Sequence, residues 1–242
     1  FLVVDNMRDI TRISLQNGVD WIVASDISSG IGLQEHDVLE APYSMVGAFA
    51  TRVAMLEILC AKGVVKGIQY LIGGDYDTVV IPVIRGIQEE LDTLGIDVPI
   101  NGSHESNMKV STTSVGITAL GIGKPEMLGT GEPYAVYVLG KPLVGNEVLE
   151  QPEWIVTYDE VRRALAHPST SRVVPIGSRG IRQELTVLSY LEGASMESIE
   201  LTDEELDHSG GPATAVLVAV CTSGETAWLA EFPKAQHVGR HR

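Results

Sequence analysis

Two spacings of apolar residues run along the chain, one near two residues and one near 3.6, and they divide it into strands and helices. "VDWIVASD" (19–26) reads as a strand that ends at the loop "ISSGIG" (27–32). In "APYSMVGAFATRVAMLEILCAKG" (41–63), Val46, Phe49, Val53, Leu56 and Leu59 recur at helical spacing between Pro42 and the stop signal Gly63. "VVKGIQYLIG" (64–73) is a strand. "DTVVIPVIRGIQEELDTLGI" (77–96) is a helix through Val80, Val83, Ile84, Ile87 and Leu91, capped by Asp77 or Thr78 and followed by Gly95. A short strand and turn, "DVPING" (97–102), and a strand, "TSVGITALGIG" (113–123), complete the first half.

The Gly- and Pro-rich stretch "GKPEMLGTGEPY" (123–134) marks a link, so the expected domains are 1–125 and 126–242. The second half repeats the alternation, with strands at 134–140, 171–177, 214–220 and 226–232 and helices at 157–168 and 181–193. An acidic segment, 198–209, lies between them. No low-complexity run or short-period repeat interrupts the pattern. Two α+β halves of similar size are the coarse reading.

Charge narrows the function. With 17 Lys and Arg against 32 Asp and Glu, the formal charge is −15, so nucleic acid and anionic membrane surfaces are not expected partners. An acidic protein that handles phosphates needs a cation as intermediary. Cys60 and Cys221 lie far apart in apolar stretches without metal-ligand spacing, and read as small buried hydrophobes of a reducing compartment. No apolar run reaches membrane-spanning length and no signal-peptide pattern opens the chain, so a cytoplasmic, soluble protein is expected. Met7 precedes a plausible start, which makes residues 1–6 an expected upstream extension.

Four clusters carry candidate chemistry. Asp26 ends a buried strand beside a Ser/Gly loop, as either a turn former or a cation ligand. Glu57 sits on or beside an apolar helix face, where an unpaired carboxylate is expensive; it reaches the rim, pairs with Arg52, or binds a cation. "NGSHESN" (101–107) places Ser103, His104, Glu105 and Asn107 on one loop, and oxygen donors of this kind suit Mg2+. "GSRG" (177–180) precedes a helix and offers Arg179 and backbone N–H groups to a phosphate.

The order of these clusters is more specific than any member. "ASD" (24–26), "EILCAKG" (57–63), the "DYD" turn (75–77), "NGSHE" (101–105), "SVGITALG" (114–121) and "IGSRGI" (176–181) follow one another as the motifs of the PurM-like superfamily do. The chain therefore resembles that superfamily of ATP-using enzymes, which includes aminoimidazole-ribotide synthetase, thiamine-monophosphate kinase, selenophosphate synthetase and a hydrogenase maturation factor. "MRDIT", "TRVAMLEIL", "NGSHESN", "PIGSRGI" and "SGGPATAVLVA" look most like its α-ribazole kinases.

The resemblance implies an α+β, PurM-like fold: two α/β domains, the N-terminal sheet completing a barrel across a homodimer and the C-terminal sheet packed with helices. It implies ATP and Mg2+ as cofactors, with Asp26, Glu57 and Glu105 on the metal. Ser28, Gly30, Gly32, Asn107, Gly177, Ser178, Arg179 and Gly180 would hold the nucleotide. His104 or Glu105 would serve as general base for a small riboside, whose 5-hydroxyl would be phosphorylated. Alternatives are another kinase or ligase of the same superfamily, or an inactive nucleotide-binding scaffold. The chain departs from the kinase pattern at Ile176 and Arg179, where acidic residues are expected. It also lacks a "D-D-A-A" opening, and has no room for the mobile N-terminal catalytic loop of selenophosphate synthetase.

Overall fold

The structure is a computed structural model that describes residues 9–15, 18–105, 107–129, 132–193 and 195–241; Met7 and the six residues before it lie outside them. The chain divides into two compact units, Phe1–Pro125 and Glu126–Arg242. In unit 1 the chain runs through β1 (Ile10–Ser14), β2 (Asp20–Ser29), β3 (Ile31–Gly32), β4 (Leu39–Glu40), α1 (Tyr43–Cys60), β5 (Val64–Gly73), a π-helical turn (Tyr76–Val80), α2 (Ile81–Leu94), β6 (Ile100–Glu105) and β7 (Ser114–Gly123). Five strands form one sheet in the order β1-β2-β7-β5-β6, antiparallel except for β5 beside β6. β3 and β4 pair separately as a short parallel ribbon.

Alternation decides what this sheet buries. Ile22 and Ala24 of β2, Ile68 and Ile72 of β5, and Val115, Ile117 and Ala119 of β7 are buried on one face, and α1 packs against β2, β7 and β5. α2 then packs on α1, backbone to backbone. A Cβ on Gly86 would fall 1.8 Å from the Ser44 carbonyl oxygen, and one on Gly47 2.3 Å from that of Val83. α1 is 18 residues long with a mean hydropathy of 1.3, enough by length and composition to cross a membrane, contrary to the expectation from sequence. In this fold 61% of it is buried against the sheet and α2. A helix buried on most sides is apolar for that reason.

The other face of the sheet carries Ile13, Trp21, Ile27, Val64 and Leu71, all exposed, and no element covers it among the described residues. Ile27 and Leu71 reach 69% and 66% exposure. This face also holds a polar row, with Ser25 and Thr118 joined through their hydroxyls at 2.9 Å.

Unit 2 contains β8 (Tyr134–Gly140), α3 (Asn146–Glu150), α4 (Tyr158–Ala166), β9 (Thr170–Pro175), α5 (Gly180–Glu192), β10 (Met196–Ile199), α6 (Asp203–Asp207), β11 (Ala215–Cys221), α7 (Glu225–Glu231) and β12 (Gln236–His241). Its sheet, ordered β10-β12-β8-β11-β9, is antiparallel throughout. Every residue of β8 from Tyr134 to Leu139 is buried, as a central strand covered on both faces requires. Tyr134, Val136 and Val138 join Ile181, Leu185 and Leu188 of α5 in the core.

Sequence and structure part at 226–232, read as a strand. Residues Glu225–Glu231 form α7 instead, and this helical spacing lets Trp228 pack on Phe232 at the helix end, with ring centroids 4.7 Å apart and planes tilted by 32°. The acidic segment, read without structure, holds α6, whose N-terminus is a capping box of Thr202 and Glu205.

Candidate functional site

β2 turns two carboxylates toward the helices, since Asp20 and Asp26 share the face of Ile22 and Ala24. Asp20 is buried with Arg12 at 3.7 Å, and Arg12 also donates to the carbonyls of Ala61 and Lys124. Asp26 is half-buried and has no cation beside it among the described residues. Burial pushes its carboxyl up from 3.8 to about 6; the Ile27 N–H opposes this and the charge of Asp9 adds to it. Ser28, two residues on, continues the same face at the end of the strand.

The loop that follows is fastened by a residue absent from the sequence reading. Asp37 accepts hydrogen bonds from the Gln34 N–H (2.8 Å), the Thr113 N–H (2.8 Å) and the Thr113 hydroxyl (2.6 Å). Burial alone would raise its pKa, but these bonds win and hold it below the usual value. Gly32 is required here, because a Cβ would lie 2.2 Å from the Thr113 hydroxyl and 2.7 Å from the Asp37 carboxylate. The Gly30 N–H is already bonded to the Thr113 carbonyl at 2.9 Å. That N–H is therefore not free for a phosphate.

At the far edge of the sheet, β6 carries the predicted His104 and Glu105. With Leu71, Ile72, Gly73, Ser103 and Ser114 they line an open cleft of about 400 Å³. Glu105 turns one carboxylate oxygen back onto its own loop, accepting from the N–H groups of Asn107 (2.6 Å) and Met108 (3.3 Å). His104 is exposed and faces the Tyr76 ring, with centroids 5.2 Å apart and planes tilted by 41°.

The sheet order separates residues that adjacent motifs suggested would meet. Asp26 pairs with Ile117, Ile117 with Tyr70 and Tyr70 with Gly102, so β6 lies three strand spacings, roughly 14 Å, from Asp26. Glu57 is 8% exposed near the C-terminal end of α1, where its neighbour Ile58 packs on Gly63 and Gly121, toward the start of β2 rather than its end. The expected trio Asp26, Glu57 and Glu105 is thus not assembled. Among the described residues no three His, Cys, Asp or Glu side chains are grouped to hold a metal.

In unit 2, Gly177–Gly180 forms the turn into α5. The Gly177 carbonyl accepts from the N–H groups of Gly180 (3.1 Å) and Gly210 (2.9 Å), and Gly180, at φ +71°, passes 2.6 Å from the Leu206 carbonyl oxygen by its would-be Cβ. Ser178 and Arg179 are exposed. Among the described residues it is Arg182 of α5 that contacts the acidic segment, reaching Asp203 and Asp207 at 2.6 Å each. Ile176, at an expected acidic position, is a fully buried member of the core.

No family model and no curated protein matches the chain. Solved structures do. A structure of AaThiL complexed with AMPPCP and TMP is 13% identical, with a TM-score of 0.67 over 98% of this chain and 85% of that one. Thiamine monophosphate kinase from Aquifex aeolicus gives 14% identity and a TM-score of 0.66 over 97% and 88%. Hydrogenase maturation protein HypE gives 13% and 0.60 over 99% and 84%. The chain accordingly has the α+β PurM-like fold.

Proposed function

We propose that this chain is an ATP- and Mg2+-dependent kinase of a small molecule, with the ribose 5-hydroxyl of α-ribazole as acceptor. The observation that carries the reading is Asp26: a desolvated carboxylate with no cation beside it among the described residues, at the strand end of a fold whose similar structures include a thiamine monophosphate kinase. Such a group is stabilised by an arriving cation, and the donor chemistry fits Mg2+, which takes one or two carboxylates together with phosphate oxygens and water. Asp26 would hold the ion, with the free oxygen of Glu105 as a further donor only through an intervening phosphate or water. Bound there, Mg2+ would neutralise charge on the transferring phosphoryl group.

The remaining tasks fall to the chain's own residues. Ser28 offers a hydroxyl on the strand face that carries Asp26, and the Asp37–Thr113 clasp fixes the loop that follows the strand. His104 is the better general base for the acceptor hydroxyl, because Glu105 is engaged with its loop. Ser178, Arg179 and the first N–H groups of α5 form an anion-binding terminus; Asn107, Gly177 and Gly180 shape the two loops. The bare apolar face of the unit 1 sheet supports a homodimer in which a second copy covers it, and light scattering at micromolar concentration tests that. A scaffold that binds nucleotide without turnover is the second reading, favoured by Ile176 in the core and by the unassembled trio. Purified protein with ATP, Mg2+ and a panel of ribosides separates them: ADP release that depends on one riboside supports the kinase, and ATP binding without turnover on any riboside supports the scaffold.

A further inference from the structure

We propose that Tyr76, with His104, is a stacking platform for a planar nitrogen heterocycle bound at the β6 cleft; this rests on the nucleotide-handling reading above. Three observations converge on it. First, Tyr76 is 48% exposed although it is a large aromatic residue, and its ring stands 5.2 Å from that of His104, which lines the 400 Å³ cleft. Second, the backbone is built to hold it there. The Gly74 N–H bonds to the Glu105 carbonyl at 2.9 Å, which fastens the turn to the end of β6. Asp75 then caps the next turn, accepting from the N–H and the hydroxyl of Thr78 at 2.9 Å each. Third, Tyr76 opens a π-helical turn, Tyr76–Val80, ahead of α2. Turns of this kind are rare and are frequent at functional sites.

Stacking is the chemistry these features share. Two exposed rings offer π-faces to a flat ligand. A heterocycle gains from such a surface without a sequence of specific hydrogen bonds, while its ribose and phosphates lie toward the polar groups Ser103, Glu105 and Ser114. Either the base of a nucleotide or the base of the acceptor riboside carries the required ring.

Calorimetric titration of Tyr76→Ala, Tyr76→Leu and Tyr76→Phe tests the assignment, with four probes: Mg-ATP, Mg-tripolyphosphate, adenosine and α-ribazole. The expected result is a loss of about tenfold or more in affinity for at least one heterocyclic probe in the Ala and Leu variants, the usual effect of removing a base-stacking ring. Tyr76→Phe keeps the wild-type affinity, and Mg-tripolyphosphate binds equally to all. Loss confined to adenosine and Mg-ATP assigns the platform to the nucleotide, and loss confined to α-ribazole assigns it to the acceptor. Unchanged affinity for every heterocycle in Tyr76→Leu overturns the platform while leaving the kinase reading standing. Wild-type protein that binds none of the four probes overturns both. Tyr76→Leu keeps apolar bulk, so the outcome does not depend on Tyr76→Ala folding.

Discussion

Replacing Asp26 by Asn should make the unliganded protein more stable, and by an amount that depends on pH. The folded state holds this carboxyl near 6 rather than 3.8, so between those values the folded protein keeps a proton that the unfolded chain releases. Stability from this group is therefore full below about pH 4, declines as pH rises, and levels off above 6. Full conversion gives roughly 3 kcal/mol against the charged form at neutral pH, at 1.36 kcal/mol per decade. Partial exposure at the strand end and the cost of burying an amide reduce the net gain to about 1–2 kcal/mol. In a unit of this size that is several degrees in Tm. The assay is thermal unfolding of both proteins from pH 4 to 8 with chelator present. Asn should lead at pH 7.5 and lose its lead steadily toward pH 4. With saturating Mg-ATP the order should reverse, because ligand stabilises only the protein that binds it, by about 2.7 kcal/mol at a hundred times Kd. A difference that does not vary with pH, or an Asn variant less stable than wild type at pH 7.5 without metal, would refute the reasoning.

The other tests are briefer. Arg182→Ala should leave the melting curve nearly in place, since its partners are exposed and solvent screens the pair, with unchanged kinetics. Arg179→Ala should leave the melting curve in place and raise the KM for ATP or lower turnover; earlier melting with normal kinetics would remove Arg179 from the phosphate site. Gly86→Ala should destabilise unit 1 by about 2 kcal/mol in chemical denaturation, because a Cβ 1.8 Å from the Ser44 carbonyl oxygen forces α1 and α2 apart. The helix-propensity gain, about 1 kcal/mol, is smaller. His241 is buried with no hydrogen-bond partner for either ring nitrogen among the described residues, and burial lowers its pKa. Below about pH 6.5 the unfolded chain takes up the proton more readily and stability falls, so His241→Phe should flatten the wild-type decline between pH 6.5 and 5 in thermal unfolding.

The hydrophobic periods were a good guide wherever one face of an element is buried. α2 was legible because Val83, Ile87 and Leu91 repeat on the face it buries, and that helix packs on α1; Gly95 marked its end by its αL conformation. The period failed at 226–232, where seven residues carry too few turns to separate a helix from a buried strand, and Trp228 declares the helix only once it meets Tyr137 of β8. The site was legible in its parts and not in its arrangement. Asp26, His104 and Arg179 could be picked out by residue type and loop context. The distance between Asp26 and His104 depends on the strand order β1-β2-β7-β5-β6, which puts two strands between Asp26 and β6 and is written nowhere in local sequence. Asp37 escaped because its partner Thr113 is 76 residues away.

The two acids of β2 argue for function more directly than any motif. Asp20 and Asp26 belong to one strand, face one way and are both withdrawn from water, so local propensity treats them alike. Asp20 has the guanidinium of Arg12, which also ties down the ends of α1 and β7 through two carbonyls; it is part of what holds the sheet to its helix. Asp26 has no such cation among the described residues, and its nearest charged influence, Asp9, is of the same sign. A fold that needed Asp26 only as a turn former would keep a neutral Asn or Ser there at lower cost, since either accepts the same backbone hydrogen bond. A carboxylate kept where the described residues disfavour its charge is most simply explained by a positive partner that those residues do not supply.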